Sequence, residues 1–288
     1  MKAIYKRELK SYFQSMTGYV LTAFMVIFTG IYFMAYNLNS GYPYFSYVLL
    51  SINYILIVAV PLLTMRSFAE ERKSRTDQML FTAPVHLWEV VLGKYLAMIT
   101  VFAVPCVIFC TFPLIINSFG TAYLKIDYLS ILMFFLMGCV YIAIGMFLSS
   151  LTESQIIAAV TTFGALLLVF LWGGLMQFLP TSKSSGMIGV VILITLAVAA
   201  VYHMTKNWMI AGILEVIGVG TVIVTSFVKA ELFENLLVNL MGKLYITEIF
   251  ENIASNHLFD VSGLVMYLTL IAVFVFLTMQ SIQKRRWS

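Results

Sequence analysis

Charged residues are scarce in this sequence, at 10% of its 288 residues, whereas a soluble domain carries about 25%. Hydrophobic residues make up 61% of the chain. They form repeated continuous runs of about twenty residues, the length that crosses a bilayer core of about 30 Å. The shortage of charge excludes an ordinary globular domain, and the continuous runs lack the alternation of a membrane β-barrel. The sequence therefore predicts an all-α polytopic membrane protein.

Cysteine and histidine are equally rare, with three of each. Cys106, Cys110 and Cys139 all lie within apolar runs and have no spaced histidine or carboxylate partners, which excludes a disulfide framework and a metal site. The net charge of +4 is modest, and its placement gives no indication of nucleic-acid binding. We expect no metal and no catalytic residue in this chain.

Eight apolar segments predict about eight transmembrane helices, a six-span core with an extra pair. They are Gly18–Tyr36, Phe45–Met65, Tyr95–Ser118, Tyr128–Ser150, Gln155–Phe178, Met187–Met204, Trp208–Val228 and Gly263–Ile282. The sixth segment is short and the seventh contains Glu215. These two are alternatively one re-entrant hairpin in a six-span protein.

The distribution of lysine and arginine predicts which side of the membrane the loops occupy. With eight spans and a cytoplasmic N-terminus, thirteen of the 17 basic residues lie inside, and four lie outside: Lys125, Lys183, Lys229 and Lys243. Cytoplasmic loops carry the excess of basic residues in membrane proteins. We therefore expect cytoplasmic N- and C-termini and a multi-pass protein of the cytoplasmic membrane.

Two further segments have the pattern of amphipathic helices. Residues 1–15 predict an interfacial helix in contact with membrane lipid, because basic residues lie opposite an apolar face of Tyr5, Leu9, Tyr12, Phe13 and Met16. The same residues are alternatively an ordinary basic segment before a membrane span. Residues 229–262 predict an extracytoplasmic amphipathic segment, with an apolar side of Leu232, Phe233, Leu236, Leu237 and Leu240. This outer segment is interpreted as a structural lid or as a substrate contact.

The cytoplasmic loop of residues 66–94 contains nine of the thirty charged residues. Its first part, Ser67 to Phe81, favours a helix, Pro84 breaks the pattern, and His86 to Lys94 begins a second helix. Charge alone favours a passive solvated loop.

The loop also contains the pattern E-R-x-x-x-T-x-x-x-L-x-x-x-P followed by G-K, at Glu71, Arg72, Thr76, Leu80, Pro84, Gly93 and Lys94. This pattern resembles the loop of ABC-2 type permeases, the membrane subunits of ATP-binding cassette transporters. The gliding-motility-type permeases are the most similar subgroup. Arg75 departs from the pattern, since many relatives have glycine there, and the sixth and seventh spans are additional to the usual six.

The resemblance implies a single permease domain over residues 1–288 that moves a substrate across the membrane, in the direction of export. It implies an ABC ATPase subunit as partner, which binds ATP and Mg²⁺, and a dimer with a second copy or a paralogue. An accessory extracytoplasmic protein is a further partner to consider. The loop would hold the coupling helix that docks on the ATPase, with contacts from Phe68, Glu71, Arg72, Arg75, Thr76, Met79 and Leu80. We call Phe68–Leu80 the docking segment.

The ATPase itself has no counterpart in this sequence. A Walker A motif needs G-x-x-x-x-G-K-[ST]. Gly93–Lys94 is followed by Tyr95, Gly242–Lys243 is followed by Leu244, and neither has the earlier glycine.

Two alternatives belong to other classes. Glu70, Glu71 and Arg75 spell E-E-x-x-x-R, which resembles a motif of intramembrane CAAX-type proteases, although no F-x-x-x-H accompanies it. A secondary transporter would use intramembrane charges, and Glu215 is the acid inside a predicted span. Glu215 is therefore a functional candidate, alternatively buried in neutral form or hydrogen-bonded to a neighbouring helix.

Overall fold

The computed structural model describes residues 1–76, 86–179, 182–206, 208–228 and 236–286, and these residues form helices joined by turns. A membrane favours this architecture because a helix satisfies its backbone polar groups internally. The first helices are α1 (Lys2–Gln14), α2 (Thr17–Phe33), a π-helix (Met34–Asn39), α3 (Ser46–Ile52), a 3-10 turn (Asn53–Ile55), α4 (Leu56–Thr64) and α5 (Ala69–Lys73). The others are α6 (Leu87–Phe109), α7 (Thr111–Phe119), α8 (Leu124–Leu151), α9 (Gln155–Met176), α10 (Lys183–Thr205), α11 (Trp208–Val228), α12 (Leu236–Gly242), α13 (Ile246–Asn256) and α14 (Val261–Arg286).

Within the described ranges, six helical stretches are long and apolar enough to cross a membrane. They are Thr17–Asn39, Ser46–Lys73, Leu87–Phe119, Leu124–Leu151, Gln155–Met176 and Val261–Lys284. They coincide with the first five and the last of the predicted spans, so the protein is a multi-pass membrane protein. The predicted sixth and seventh spans fall on α10 and α11, whose apolar parts are the shorter Gly186–Leu196 and Gly212–Val222. An eight-span topology stays a prediction.

The chain divides into two compact units, residues 1–170 with 246–288, and residues 171–245. In the larger unit, α8 packs against α4, α6, α13 and α14. Two glycines of α8 permit the closest approaches, because a methyl group on Gly138 would overlap Phe102 and one on Gly145 would overlap Thr64. The Tyr95 hydroxyl donates to the Cys139 carbonyl at 3.0 Å, which adds a buried polar tie between α6 and α8.

In the smaller unit, α10 and α11 form a helical pair in which Gly218 lies against Ile194. The indole Nε1 of Trp172 donates to the Met241 carbonyl at 2.9 Å, and Gly173 faces the Tyr245 ring. Glu215 lies partly exposed on α11.

The structure describes the first of the two predicted amphipathic segments completely and the second only in part. The first forms α1, although Met16 lies beyond its end, 71% exposed, with a positive φ of 60°. In the second, residues 229–235 lie outside the described residues. The amphipathic helix that packs there is α13, which buries Ile249, Phe250 and Ile253. The predicted apolar side, Leu232 to Leu240, stays a prediction, because Leu232 and Phe233 lie outside the described residues.

The buried carboxylate of Asp127 connects two helices of the larger unit. Asp127 Oδ1, in the first turn of α8, accepts the backbone N–H groups of Phe45 at 2.8 Å and Ser46 at 3.2 Å. These groups begin α3, where free N–H groups need an acceptor. The Ser46 hydroxyl donates to the Ala254 carbonyl of α13 at 2.9 Å. Asp127 therefore joins α8 to α3, and Ser46 joins α3 to α13.

Candidate functional site

The described part of the docking segment runs from Phe68 to Thr76, while Met79, Leu80 and Pro84 lie outside the described residues. The helix predicted from Ser67 to Phe81 is wrong over the described residues, because α5 spans Ala69–Lys73 and residues 74–76 form a turn, whereas residues 77–81 lie outside the described residues. The predicted restart is confirmed, since α6 begins at Leu87 after His86.

The end of α5 explains this interruption. The Thr76 N–H donates to the Glu71 carbonyl at 2.9 Å, and the Arg75 N–H donates to the Arg72 carbonyl at 3.1 Å. This pair of bonds is a Schellman motif, whose residue after the cap adopts the left-handed conformation and is usually glycine. Arg75 occupies that position with a φ of 56°. The left-handed backbone at Arg75 thus explains why many members of the family have glycine at this position.

The base of the docking segment is fixed to the end of α8. The buried Ser149 hydroxyl oxygen accepts the N–H groups of Phe68 and Ala69, each at 3.3 Å. The Arg72 guanidinium donates to the Thr152 carbonyl at 2.9 Å, just beyond the last turn of α8. Arg72 is therefore an internal clamp of the segment as well as a predicted docking residue.

Lys94 holds the segment from a second side. Only 2% of its side chain is exposed, and its Nζ lies 2.8 Å from the Ser67 carbonyl, 2.9 Å from Glu71 Oε1 and 3.3 Å from Glu8 Oε1. The ammonium donates a hydrogen bond to the Ser67 carbonyl and lies within ion-pair distance of both carboxylates. The Phe68 ring lies beneath the ammonium, with 5.2 Å between Nζ and the ring centroid, a cation–π distance. A buried lysine is tolerated because it is fully paired.

Arg7 completes what we call the Lys94 cluster, formed by Arg7, Glu8, Glu71 and Lys94. Its Nη2 atom lies 2.7 Å from Glu8 Oε1 and 2.9 Å from Glu71 Oε1. The hydrogen bond to Glu8 is the main cause that raises the pKa of Arg7 above its ordinary value. Since Glu8 and Glu71 each contact both cations, the cluster ties α1, α5 and α6 to one another.

A cleft of about 580 Å³ opens between α1 and the segment. Its charged lining balances, with three cations and three acids: Arg7, Arg66, Lys94, Glu8, Glu70 and Glu71. Arg66 is itself paired with Glu70, at 2.8 Å between Nε and Oε2. A triphosphate would need an excess of positive charge, so this cleft does not suit nucleotide binding.

The positions of the predicted docking residues fall into two groups. Phe68 is buried in the core, 7% exposed, and Glu71 faces the Lys94 cluster, so both act inward. Arg75 and Thr76 are exposed, as are the neighbouring Lys73 and Ser74. The outward surface of the described segment is therefore its C-terminal end.

Sequence reasoning missed Glu8 and Ser149. Glu8 is the single acid of an otherwise basic helix, and Lys94 opens a long apolar run, two signals that could have paired them. Ser149 gave no comparable signal, since a serine near a helix end is ordinary.

The sequence was compared with protein-family models, curated proteins and solved structures. It matches the model of the ABC-2 family transporter protein over residues 33–279, which includes the whole docking segment. No curated protein matches the chain, and neither does any solved structure. Because the match extends over most of the sequence, the chain belongs to the ABC-2 transporter family and is a membrane subunit of an ABC transporter.

Proposed function

We propose that this subunit works in the cytoplasmic membrane as one half of a permease dimer, with an identical copy or a paralogue. Two ATPase subunits, which bind ATP and Mg²⁺, dock on the dimer and drive export of a substrate. Family membership supports this assembly, and so does the missing Walker A motif, because the energy must then come from another chain. We also propose that the chain is most similar to the gliding-motility-type permeases and that an accessory extracytoplasmic protein is a further partner.

One observation carries the docking role: the segment is fixed at its base and exposed at its end. Ser149 and Lys94 hold the base through buried contacts, while Arg75 and Thr76 face outward. A passive loop would not need a buried lysine and a buried serine to orient it. A coupling element needs that support, because it transmits displacement from a moving partner.

The contacts also indicate which helices a displacement of the docking segment would reach. Force on the exposed end reaches α8 through Arg72 and Ser149, and it reaches α6 through Lys94. Because α8 lies at the centre of the larger unit, a small displacement of the segment acts on the packed spans directly. ATP-driven closure of the ATPase subunits would in this way switch the permease between inward-facing and outward-facing states.

Docking is tested by co-purification of the cognate ATPase with the tagged permease. Met79→Ala and Leu80→Ala are expected to weaken capture most, since truncating a central interface residue costs about 2 kcal/mol or more. Arg75→Glu should weaken capture less and in a salt-dependent way, because exposed ion pairs contribute about 0–1 kcal/mol. Arg75→Gly should lose only the charge, since glycine suits the left-handed turn.

The matched control is Lys10→Glu, which makes the same charge change on the exposed side of α1. It should leave capture unchanged. Capture that ignores Met79→Ala, Leu80→Ala and Arg75→Glu alike would contradict the docking role and favour a passive loop.

We infer further that both termini are cytoplasmic and that α10 and α11 cross the membrane as a pair. The excess of basic residues on one side supports this orientation. In a variant lacking Cys106, Cys110 and Cys139, Asn239→Cys should react with an impermeant thiol reagent added outside. Ser74→Cys and Lys206→Cys should react only after the membrane is opened, and all three positions are exposed. Labelling of position 206 from outside would contradict the pair.

A further inference from the structure

Tyrosine is concentrated where the first span ends, at the end of α2 remote from the Lys94 cluster. Seven of the 16 tyrosines form a connected series there: Tyr32, Tyr36, Tyr42, Tyr44, Tyr47, Tyr54 and Tyr123. The Tyr44 ring stacks on two other rings, those of Tyr123 and His257, each with a centroid distance of 4.5 Å. Tyrosine belts are common at membrane surfaces, so the series as a whole needs no special function.

Three of these rings, however, line an open pocket. Tyr36, Tyr42 and Tyr47 line a space of about 220 Å³, together with Leu50 and Ser51. We call the three rings the tyrosine cage. The Tyr36 and Tyr42 rings are inclined by 81° with centroids 6.3 Å apart, and the Tyr42 and Tyr47 rings by 57° at 5.6 Å. Because neither pair is stacked in parallel, the rings of each pair do not cover one another completely, and all three contribute to the lining of the pocket.

Backbone and side-chain hydrogen bonds hold the loop that carries Tyr42. The buried Asn37 donates its amide Nδ2 to the Tyr42 carbonyl at 2.7 Å and to the Tyr44 carbonyl at 3.1 Å. The Tyr42 N–H donates to the Tyr36 carbonyl at 3.1 Å. These bonds fix the loop that carries Tyr42 against the π-helix. A pre-arranged cavity loses less freedom on binding than one that must form.

The electrostatics of the cavity favour a cation. None of its five lining residues has a formal charge, and aromatic faces carry negative potential. Tyr36 lies in the π-helix that ends the first span at Asn39, and the C-terminal end of a helix carries partial negative charge. A bare metal ion would find no carboxylate here, and a primary ammonium would find no charged partner among the lining residues. A cation with an apolar surface fits both the walls and the potential.

We propose that the tyrosine cage binds a quaternary ammonium group. Aromatic cages recognise such cations, of which choline is one, through cation–π attraction. The volume of about 220 Å³ is smaller than a pocket for a drug-sized ligand, which takes about 300–1,000 Å³, and it matches a head group. The group comes from a free solute or from the head group of a choline lipid, since the cage lies at an end of a membrane span.

The test measures binding of choline to the full chain in a maltoside detergent, by titration calorimetry. The matched probe is 3,3-dimethylbutan-1-ol, which has the shape of choline without its charge. We expect saturable binding of choline at least about tenfold tighter than that of the neutral alcohol. Equal binding of the two, or no saturable binding of choline, would overturn the proposal.

Variants separate the cage from the rest of the tyrosine series. Tyr42→Leu should weaken choline binding about tenfold, because it removes one wall, and Tyr42→Phe should retain it. Tyr123→Leu is the control, since Tyr123 is similarly exposed but does not line the cavity. Loss of binding in Tyr123→Leu to the same extent as in Tyr42→Leu would contradict a local site.

A second arm identifies the source of the cation. The same titration is made in nanodiscs of phosphatidylglycerol and of phosphatidylcholine. Weaker apparent binding of choline in phosphatidylcholine would assign the cage to a lipid head group that competes for it. Equal binding in both lipids would assign it to a free solute, and absence of binding in both would count against the site.

Discussion

Replacing Lys94 with methionine is expected to destabilise the permease by about 3 kcal/mol or more, because it removes one partner of a buried charge cluster. Glu8 and Glu71 would remain largely enclosed, with side chains 14% and 17% exposed, and Arg7 would be their one remaining cation in the cluster. The Ser67 carbonyl would also lose its donor. Thermal unfolding in detergent should shift downward by several degrees, and ATPase capture should fall with it.

The matched control for this prediction is Lys73→Met, since Lys73 is exposed and lies on α5 itself. It should change stability by no more than about 0.5 kcal/mol. A double variant with Lys94→Met and Glu71→Met should recover part of the stability, because an apolar pair can replace a buried ion pair at little cost. Coupling should remain poor if the cluster acts by orienting the segment. Equal unfolding of Lys94→Met and Lys73→Met would contradict the structural role of Lys94.

Asp127→Leu is expected to have the second large effect, a loss of about 2 kcal/mol or more. Leucine leaves two buried N–H groups, those of Phe45 and Ser46, without their acceptor, and each unsatisfied group costs about 1–3 kcal/mol. Hydrogen exchange should speed up in α3 and in α13, which is joined to α3 through Ser46. Asp127→Asn should be much milder, because its side-chain oxygen can still accept both bonds.

A surface aspartate provides the comparison for Asp127. Asp260 also accepts a backbone bond, from the Ser262 N–H at 2.9 Å, and the hydrogen bonds from Ser262 lower the pKa of this carboxyl. Because Asp260 is exposed, water can replace its lost bonds. Asp260→Leu should therefore cost less than Asp127→Leu. Similar losses for the two variants would show that burial does not decide the effect at Asp127.

The spans were predictable from the sequence because hydropathy over about twenty residues is a local property. Six predicted segments coincide with span-capable helices, including Gln155–Phe178, which the structure ends at Met176. The family was also predictable, since the loop pattern around Glu71 and Arg72 is specific. The apolar parts of the predicted sixth and seventh spans are shorter, so hydropathy does not decide whether these two helices cross the membrane. The labelling experiment tests this.

The candidate site was predictable only in part, because its key contacts join residues far apart in the chain. The pairing of Lys94 with Glu8 spans 86 positions, so no local pattern contains it. The helix predicted from Ser67 to Phe81 ends already at Lys73, and the reason for this is local. Ser74 and Thr76 offer hydroxyls that bond the Glu71 carbonyl, and this competes with continuation of the helix.

The Lys94 cluster also has a consequence for biosynthesis. Glu8 and Glu71 leave the ribosome before Lys94, and Ser149 follows later still. A nascent chain with only its first two spans therefore contains the acids of the cluster without their buried cation. The docking segment gains its supports when the third and fourth spans have been inserted. A permease whose insertion stops early thus lacks the contacts that orient this segment, and it would not present an ordered landing surface to an ATPase.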